Sequence, residues 1–140
     1  MPRSAPFGSS ELFAWLSARH AVTPYRRVVD CGCGWGAMGQ AARAALPGLR
    51  ELVGLDVWGP SLKKVGRAGI YSSLVQGDFR EEVELLRGAD LLIFGDCLEH
   101  VPRDVALGLL GLAGPRTIAA RIPIGSYPQG AHRGNEAERH

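Results

Sequence analysis

Residues 27–36 read RVVDCGCGWG, a short apolar run that leads into an aspartate and a glycine-rich turn. The alanine-rich segment 37–46 follows directly and is predicted to be a helix, which Pro47 and Gly48 terminate. Glycines at alternate positions allow a tight turn and let the backbone approach a ligand, with the N–H groups of the helix start directed toward it. The segment therefore predicts one β-α step with a ligand site at its turn.

Similar steps follow along the chain. Further strands are predicted at 52–57, 73–76, 91–95 and 117–122. Helices are predicted at 61–67, 82–86 and 103–113, and another precedes the first strand with Ser9 or Ser10 as its N-cap. Asp78 and Glu81 have the spacing of a capping box for the 82–86 helix. Alternating strands and helices imply right-handed crossovers, so we predict an α/β fold, a doubly wound Rossmann-like parallel sheet with helices on both faces.

The length of 140 residues predicts one domain, and 46% hydrophobic residues are enough for a sizeable core. We divide the domain into an N-terminal helix region at 1–24, a Rossmann-like core at 25–122 and a polar C-terminal segment at 123–140. The composition of 125–140 is that of a loop, an active-site lid or a frayed tail.

Charge and cysteine content limit the partners and the compartment. A formal net charge of +2 and the short basic groups at 26–27, 63–64 and 67 give no stripe for nucleic acid. The amino terminus has no apolar signal segment, and the apolar stretch 105–115 is too short to cross a bilayer. Three cysteines do not complete a disulfide framework. We therefore expect a cytoplasmic protein with reduced thiols and no membrane partner.

Carboxylates follow the predicted strands, at the sheet edge where doubly wound folds bind ligands. Asp56 ends the second strand twenty residues after Gly36, from where a carboxylate can accept hydrogen bonds from ribose hydroxyls. After the third strand, Asp78 can accept a hydrogen from an amino group and Phe79 can pack beside a planar base. The fourth strand is followed by 96–100, which read DCLEH and add two carboxylates and an imidazole.

These motifs, in this order, resemble those of the class I S-adenosylmethionine-dependent methyltransferases. The motifs are Val28-Val29-Asp30-x-Gly32-x-Gly34-x-Gly36, Gly54-Leu55-Asp56-Val57, Gly77-Asp78-Phe79 and Asp96-Cys97-Leu98-Glu99-His100-Val101, and the resemblance covers residues 25 to about 122. The resemblance implies strand order 3-2-1-4-5, S-adenosylmethionine as cofactor and S-adenosylhomocysteine as product. Family members usually continue with a helix and antiparallel strands that 123–140 is too short to supply. We therefore expect either a truncated form of a longer chain or another chain, such as a second copy, that covers the exposed sheet edge.

The same resemblance implies how the cofactor is held. The methionine part lies over the turn 32–36, with Asp30 near the cofactor amino group and Asp96 near the methionine end. Asp56 holds the ribose hydroxyls, Asp78 holds the adenine amino group, and residues 57 and 79 flank the ring. The expected cofactor-binding residues are Asp30, Cys31, Gly32, Gly34, Trp35, Gly36, Asp56, Val57, Gly77, Asp78, Phe79 and Asp96.

Methyl transfer to an unidentified acceptor, with a small polar metabolite favoured, is the expected function, and His100 or Glu99 is the candidate general base. Two alternatives stay open. The first is a nicotinamide-dependent oxidoreductase, because the spacing Gly34-x-Gly36-x-x-Gly39 also satisfies the dinucleotide fingerprint. The second is a cofactor-binding module without catalytic activity. A metal site is not expected, because the Cys31-x-Cys33 spacing is one residue too short for a zinc knuckle.

Overall fold

The computed structural model of the protein describes residues 7–122. The expectations for residues 1–6 and for a lid or tail at 123–140 lie outside these residues. The elements, in chain order, are α1 (Phe7–Arg19), β1 (Arg27–Cys31), α2 (Ala37–Ala45), β2 (Glu51–Asp56), α3 (Gly59–Gly66), β3 (Ser73–Gln76), α4 (Val83–Leu86), β4 (Leu91–Gly95), a 3₁₀ turn (Leu98–His100), α5 (Arg103–Ala113) and β5 (Thr117–Arg121).

The five strands form a parallel sheet of order β3-β2-β1-β4-β5, which confirms the predicted topology. The central strand β1 pairs with β2 from Arg27 beside Glu51, and with β4 from Val28 beside Leu91. Asp90, just before β4, fixes the start of β1 because its carboxylate accepts the backbone N–H groups of residues 26 and 27 at 2.7 and 2.9 Å. The carboxyl ends of the strands consequently share one edge.

Alternating residues of the strands fill two apolar clusters, one on each face of the sheet. Val29 belongs to the cluster under α4 and α5, whose helices contribute Leu86 and Leu109. Val28 belongs to the opposite cluster, which α1 and α2 cover and to which α1 contributes Leu16. Helices on both faces are therefore confirmed, and the strands are buried on both sides as in other parallel sheets.

Two local predictions are wrong. The first helix begins at Phe7, so Ser9 and Ser10 lie within its first turn and neither is its N-cap. The first turn of this helix packs closely on α2, since a Cβ at Gly8 would lie 2.8 Å from Met38 Cε. The capping box is also absent, because the Asp78 carboxylate binds the Arg80 side chain and α4 begins only at Val83.

The other predicted strands and helices are present, with ends shifted by one or two residues at most. On the outer side of β5 no strand among residues 7–122 pairs with the sheet. Ile118 and Ile122 are 41% and 50% exposed along this strand and just beyond it. Among the described helices, none is both long and apolar enough to cross a bilayer.

Candidate functional site

The glycine turn after β1 crosses over to the end of β2. The backbone N–H groups of Gly32 and Cys33 both donate to the carbonyl oxygen of Leu55, at 2.8 and 3.0 Å. Gly32, Gly34 and Gly36 have φ values of +68°, +48° and +83°, a conformation that residues with a Cβ rarely adopt. The helix α2 follows directly, and its N-cap is Gly36, which has no side chain to cap the first N–H groups.

Asp56 holds this turn in place from the end of β2. Its Oδ2 accepts the N–H of Gly34 and its Oδ1 accepts the N–H of Trp58, each at 2.7 Å. The backbone carbonyl of Asp56 also accepts the N–H of Gly77, at 3.1 Å. One aspartate therefore connects the glycine turn, the loop before α3 and the end of β3, which places three of the sequence motifs side by side.

Two further carboxylates at this edge are paired with arginines that the sequence analysis did not single out. Arg80 Nε lies 2.9 Å from both carboxylate oxygens of Asp78, and these hydrogen bonds hold the pKa of Asp78 below its usual range. Arg121 Nε donates to Asp96 Oδ1 at 2.8 Å, and the Nη2 of the same arginine contacts Oδ2. Asp96 itself has a φ of +54°, the only positive value at a non-glycine position among residues 7–122.

Asp30 lies beneath the glycine turn with only 1% of its surface exposed. Its Oδ2 accepts the hydroxyl hydrogen of Tyr71 at 2.7 Å. Burial raises the pKa of Asp30 to about 7, against the opposing effect of the Tyr71 hydrogen bond. The Tyr71 hydroxyl stays protonated as the donor, because burial and the neighbouring Asp30 charge raise its own pKa.

Solved structures match this arrangement of strands and turns, whereas no protein-family model and no curated protein matches the sequence. The plantazolicin methyltransferase BpumL in complex with SAH has a TM-score of 0.69 and 17% identity, over 96% of this chain and 56% of that one. Magnesium protoporphyrin IX methyltransferase from Synechocystis PCC 6803 with bound SAM has a TM-score of 0.60 and 20% identity, over 79% and 53%. The chain has a class I methyltransferase fold.

An S-adenosylmethionine-dependent methyltransferase from Clostridium acetobutylicum ATCC 824 also matches, with a TM-score of 0.63 and 13% identity. The match covers 78% of this chain and 46% of that chain. This chain thus spans about half the length of the solved methyltransferases that it resembles. At such identities the likeness concerns the fold. The predicted resemblance is confirmed at that level, and the roles of individual residues depend on the geometry of this chain.

In this methyltransferase fold the aromatic residues of the motifs lie in different environments. Phe79 is 9% exposed and packs edge-on against Phe94, with ring centroids 5.5 Å apart. Trp35 is 45% exposed within the glycine turn, and Lys64 Nζ lies 4.3 Å from the centre of its ring. Val57 is half-buried after β2. The turn therefore presents an aromatic surface to solvent, while Phe79 mainly supports the core.

The three cysteines of the chain, Cys31, Cys33 and Cys97, are buried free thiols. The Sγ of Cys97 donates to the carbonyl oxygen of Cys31 at 3.2 Å, which connects the residue after β4 to the end of β1. Burial raises the pKa of Cys31, Cys33 and Cys97, so all three stay protonated and act as small apolar side chains. Within residues 7–122 no three His, Cys, Asp or Glu side chains are grouped to hold a metal ion.

Glu99 and His100 lie in the 3₁₀ turn that follows β4. Both side chains are half-buried, and the turn closes with a 3.3 Å hydrogen bond from the N–H of His100 to the carbonyl oxygen of Cys97. This turn begins two residues after Asp96, at the same edge of the sheet as the glycine turn. The two candidate bases therefore lie just beyond the carboxyl end of β4.

Tyr71 is the main site residue that the sequence analysis missed. Besides bonding Asp30, its ring fills the space under the glycine turn. A Cβ at Gly39 would lie 2.6 Å from Tyr71 Cε1, and a Cβ at Gly54 would lie 3.0 Å from Cδ1. Glycine is thus required at these positions because the Tyr71 ring occupies the adjoining space. No motif surrounds Tyr71, which lies between α3 and β3, so no signal in the sequence points to it.

Proposed function

We propose that the protein binds S-adenosylmethionine at the glycine turn and transfers its methyl group to an acceptor. The observation that carries this proposal is Asp56, whose carboxylate holds the Gly34 and Trp58 N–H groups at the end of β2. The neighbouring structures of this fold include complexes with SAM and with SAH, which supports the choice of cofactor. Because the chain spans about half of their length, the activity is a proposal for this chain.

The residues present fit this cofactor. The N-cap of α2 is Gly36, which has no side chain, and Gly32, Gly34 and Gly36 all have positive φ values, so the turn has the bare backbone that a close ligand needs. In this proposal Asp56 accepts the ribose hydroxyls and Asp78 accepts the adenine amino group. Asp30 and Asp96 serve the methionine part, and the remaining contacts come from Cys31, Gly32, Gly34, Trp35, Gly36, Val57, Gly77 and Phe79.

The proposed chemistry needs alignment of the acceptor, exclusion of water and a group that takes a proton. S-adenosylmethionine supplies an electrophilic methyl group and leaves as S-adenosylhomocysteine. When the accepting atom carries a proton, the His100 imidazole or the Glu99 carboxylate removes it. Both lie in the 3₁₀ turn after β4, three and four residues beyond Asp96 in the sequence.

Binding of S-adenosylhomocysteine tests the cofactor part of the proposal. We expect wild-type protein to bind it and Asp56→Asn to bind about ten- to a hundredfold more weakly, because the neutral amide loses charge-assisted hydrogen bonds. Isothermal titration calorimetry measures both constants. Glu84→Gln is the control, since Glu84 is 81% exposed and pairs only with Arg87 at the surface.

The same titration with NAD tests the oxidoreductase alternative. Binding of NAD without binding of S-adenosylhomocysteine contradicts the proposal and favours a dinucleotide enzyme. Binding of S-adenosylhomocysteine with no methyl transfer to any compound favours a non-catalytic module, the second alternative.

His100→Ala tests the proposed base. We expect at least about a hundredfold lower turnover with unchanged affinity for S-adenosylhomocysteine, because the variant removes a proton acceptor and leaves the glycine turn intact. Turnover is measured as S-adenosylhomocysteine formed by mass spectrometry, with a small-molecule metabolite extract as the source of acceptor. Glu99→Gln is measured in parallel. A wild-type rate in His100→Ala together with a large loss in Glu99→Gln assigns the base to Glu99.

A further inference from the structure

A groove separates α1 from the outer strands β4 and β5. Its volume is about 640 Å³, which is within the range of small-molecule sites. Leu12 and Trp15 of α1 form one wall, and Ile93 and Ile118 contribute to the opposite wall. Trp15 is held in place because it stacks on Tyr25 with ring centroids 6.4 Å apart. The groove is therefore apolar and has at least one rigid aromatic wall.

One end of the groove adjoins the candidate functional site. Met38, in the first turns of α2, lines the groove, and a Cβ at Gly95 would lie 3.1 Å from Met38 Cγ. Arg121 also lines the groove, and its guanidinium pairs with Asp96 at the carboxyl end of β4. A molecule in the groove thus reaches the edge where Asp96 follows β4, beside the glycine turn. The groove is therefore continuous with the candidate functional site.

The two charged side chains that line the groove, Arg121 and Glu11, differ in their ion pairing. Arg121 is neutralised by Asp96, and Arg19 lies over the Trp15 ring, 5.1 Å from its centre, but does not itself line the groove. Glu11 of α1 lines the groove and makes no ion pair with any residue in 7–122. Glu11 is one helical turn from Gly8, which contacts Arg121 and Met38, so its carboxylate belongs to the end of the groove nearest the site. A negative charge at that end favours a ligand with a cationic group over an anionic one.

We propose that this groove is the acceptor site and that it selects an amphipathic molecule. The aromatic or aliphatic body of the acceptor packs between Trp15 and Ala119, which is in register with Ile93 on the face of the sheet that α1 covers, and a basic nitrogen of the acceptor lies beside Glu11. This inference rests on the proposed methyl transfer, because it assigns the substrate class of the same site. It replaces the general expectation of a small polar metabolite with an acceptor that has a large apolar part and a positive charge.

Indole N–H and methionine methyl signals in NMR spectra test the groove and the cofactor site separately. The chain contains three tryptophans and two methionines. Trp15 and Met38 line the groove, whereas Trp35 and Trp58 border the glycine turn and its partner loop. The probes are tryptamine, a cationic indole, and indole-3-propionate, an anionic indole of similar size. Each is titrated onto the protein with and without saturating S-adenosylhomocysteine.

We expect tryptamine to shift the Trp15 and Met38 signals in a saturable manner, and indole-3-propionate to bind at least about tenfold more weakly. Glu11→Gln is expected to weaken tryptamine binding about fivefold, the effect of one partly exposed ion pair, and Glu84→Gln to leave it unchanged. Equal affinity for both indoles, binding of neither, or loss of binding in the control variant overturns the inference.

Two further outcomes distinguish the acceptor-site proposal from self-association of the chain and from a failure of the proposed cofactor. Shifts of Trp15 and Met38 with protein concentration, in the absence of any probe, overturn the inference and assign the groove to a second copy of the chain. Binding of tryptamine at Trp15, with no effect of S-adenosylhomocysteine on Trp35 or Trp58, supports the cationic selectivity of the groove and overturns the proposed cofactor. The failure of one proposal is thus distinguishable from the failure of the other.

Discussion

Between pH 4 and pH 8 the protein is expected to lose about 4 kcal/mol of its free energy of unfolding through the carboxyl group of Asp30 alone. Burial raises the pKa of Asp30 from 3.8 to about 7 in the folded protein. The folded state therefore holds this proton more tightly than the unfolded state does. This stabilisation by protonated Asp30 is fully present below the pKa that the residue has in the unfolded chain. It is lost as the pH rises through the pKa of Asp30 in the folded protein.

Denaturant unfolding at a series of pH values measures this effect in wild type and in Asp30→Asn, whose side chain does not titrate. The difference between the two stabilities is the relevant quantity, because Asp78 and Asp90 have lowered pKa values and change stability in the opposite direction at acidic pH. Asp104→Asn, at an exposed position in α5, is the control. Parallel pH profiles of wild type and Asp30→Asn contradict the expectation.

Gly39→Ala is expected to lower the free energy of unfolding by about 1 kcal/mol, the net of overpacking and helix propensity. The added Cβ would lie 2.6 Å from Tyr71 Cε1, and the ring is held by its 2.7 Å hydrogen bond to Asp30. Overpacking of this kind costs about 1 to 3 kcal/mol, partly offset by the better helix propensity of alanine, about 1 kcal/mol. Thermal or urea unfolding measures the change.

Gly108→Ala is the matched control, because Gly108 lies in the middle of α5 and a Cβ there meets no atom within 4 Å. This control is expected to gain about 1 kcal/mol from helix propensity alone. A double-mutant cycle with Tyr71→Ala completes the test. Gly39→Ala should cost much less when the ring is absent, and an equal cost in both backgrounds shows that Tyr71 is not the cause.

The framework of the fold could be predicted because it depends on local patterns. The apolar run of β4 and the glycine turn after β1 each specify their conformation from a few neighbouring residues. Parallel register then brings the residues after each strand to one edge, so the motif carboxylates could be located from strand order. Asp56 is an example, since its position after β2 was enough to place it beside the glycine turn.

The partners of those carboxylates could not be predicted in the same way. Tyr71 contacts Asp30 across 41 positions of sequence, and Arg121 contacts Asp96 across 25 positions, without any motif at either residue. Such pairs arise only when the whole sheet is assembled. The Asp78 and Glu81 spacing was misleading for a related reason, because the charged Arg80 side chain competes for the carboxylate that a helix cap needs.

The central position of β1 has a consequence for biosynthesis. Val28 pairs with Leu52 on one side and with Leu91 on the other, so the strand that carries the glycine turn finds its second neighbour 63 residues later in the chain. On a translating ribosome this strand stays half-paired until β4 has been made. Its apolar side chains are then available to chaperones.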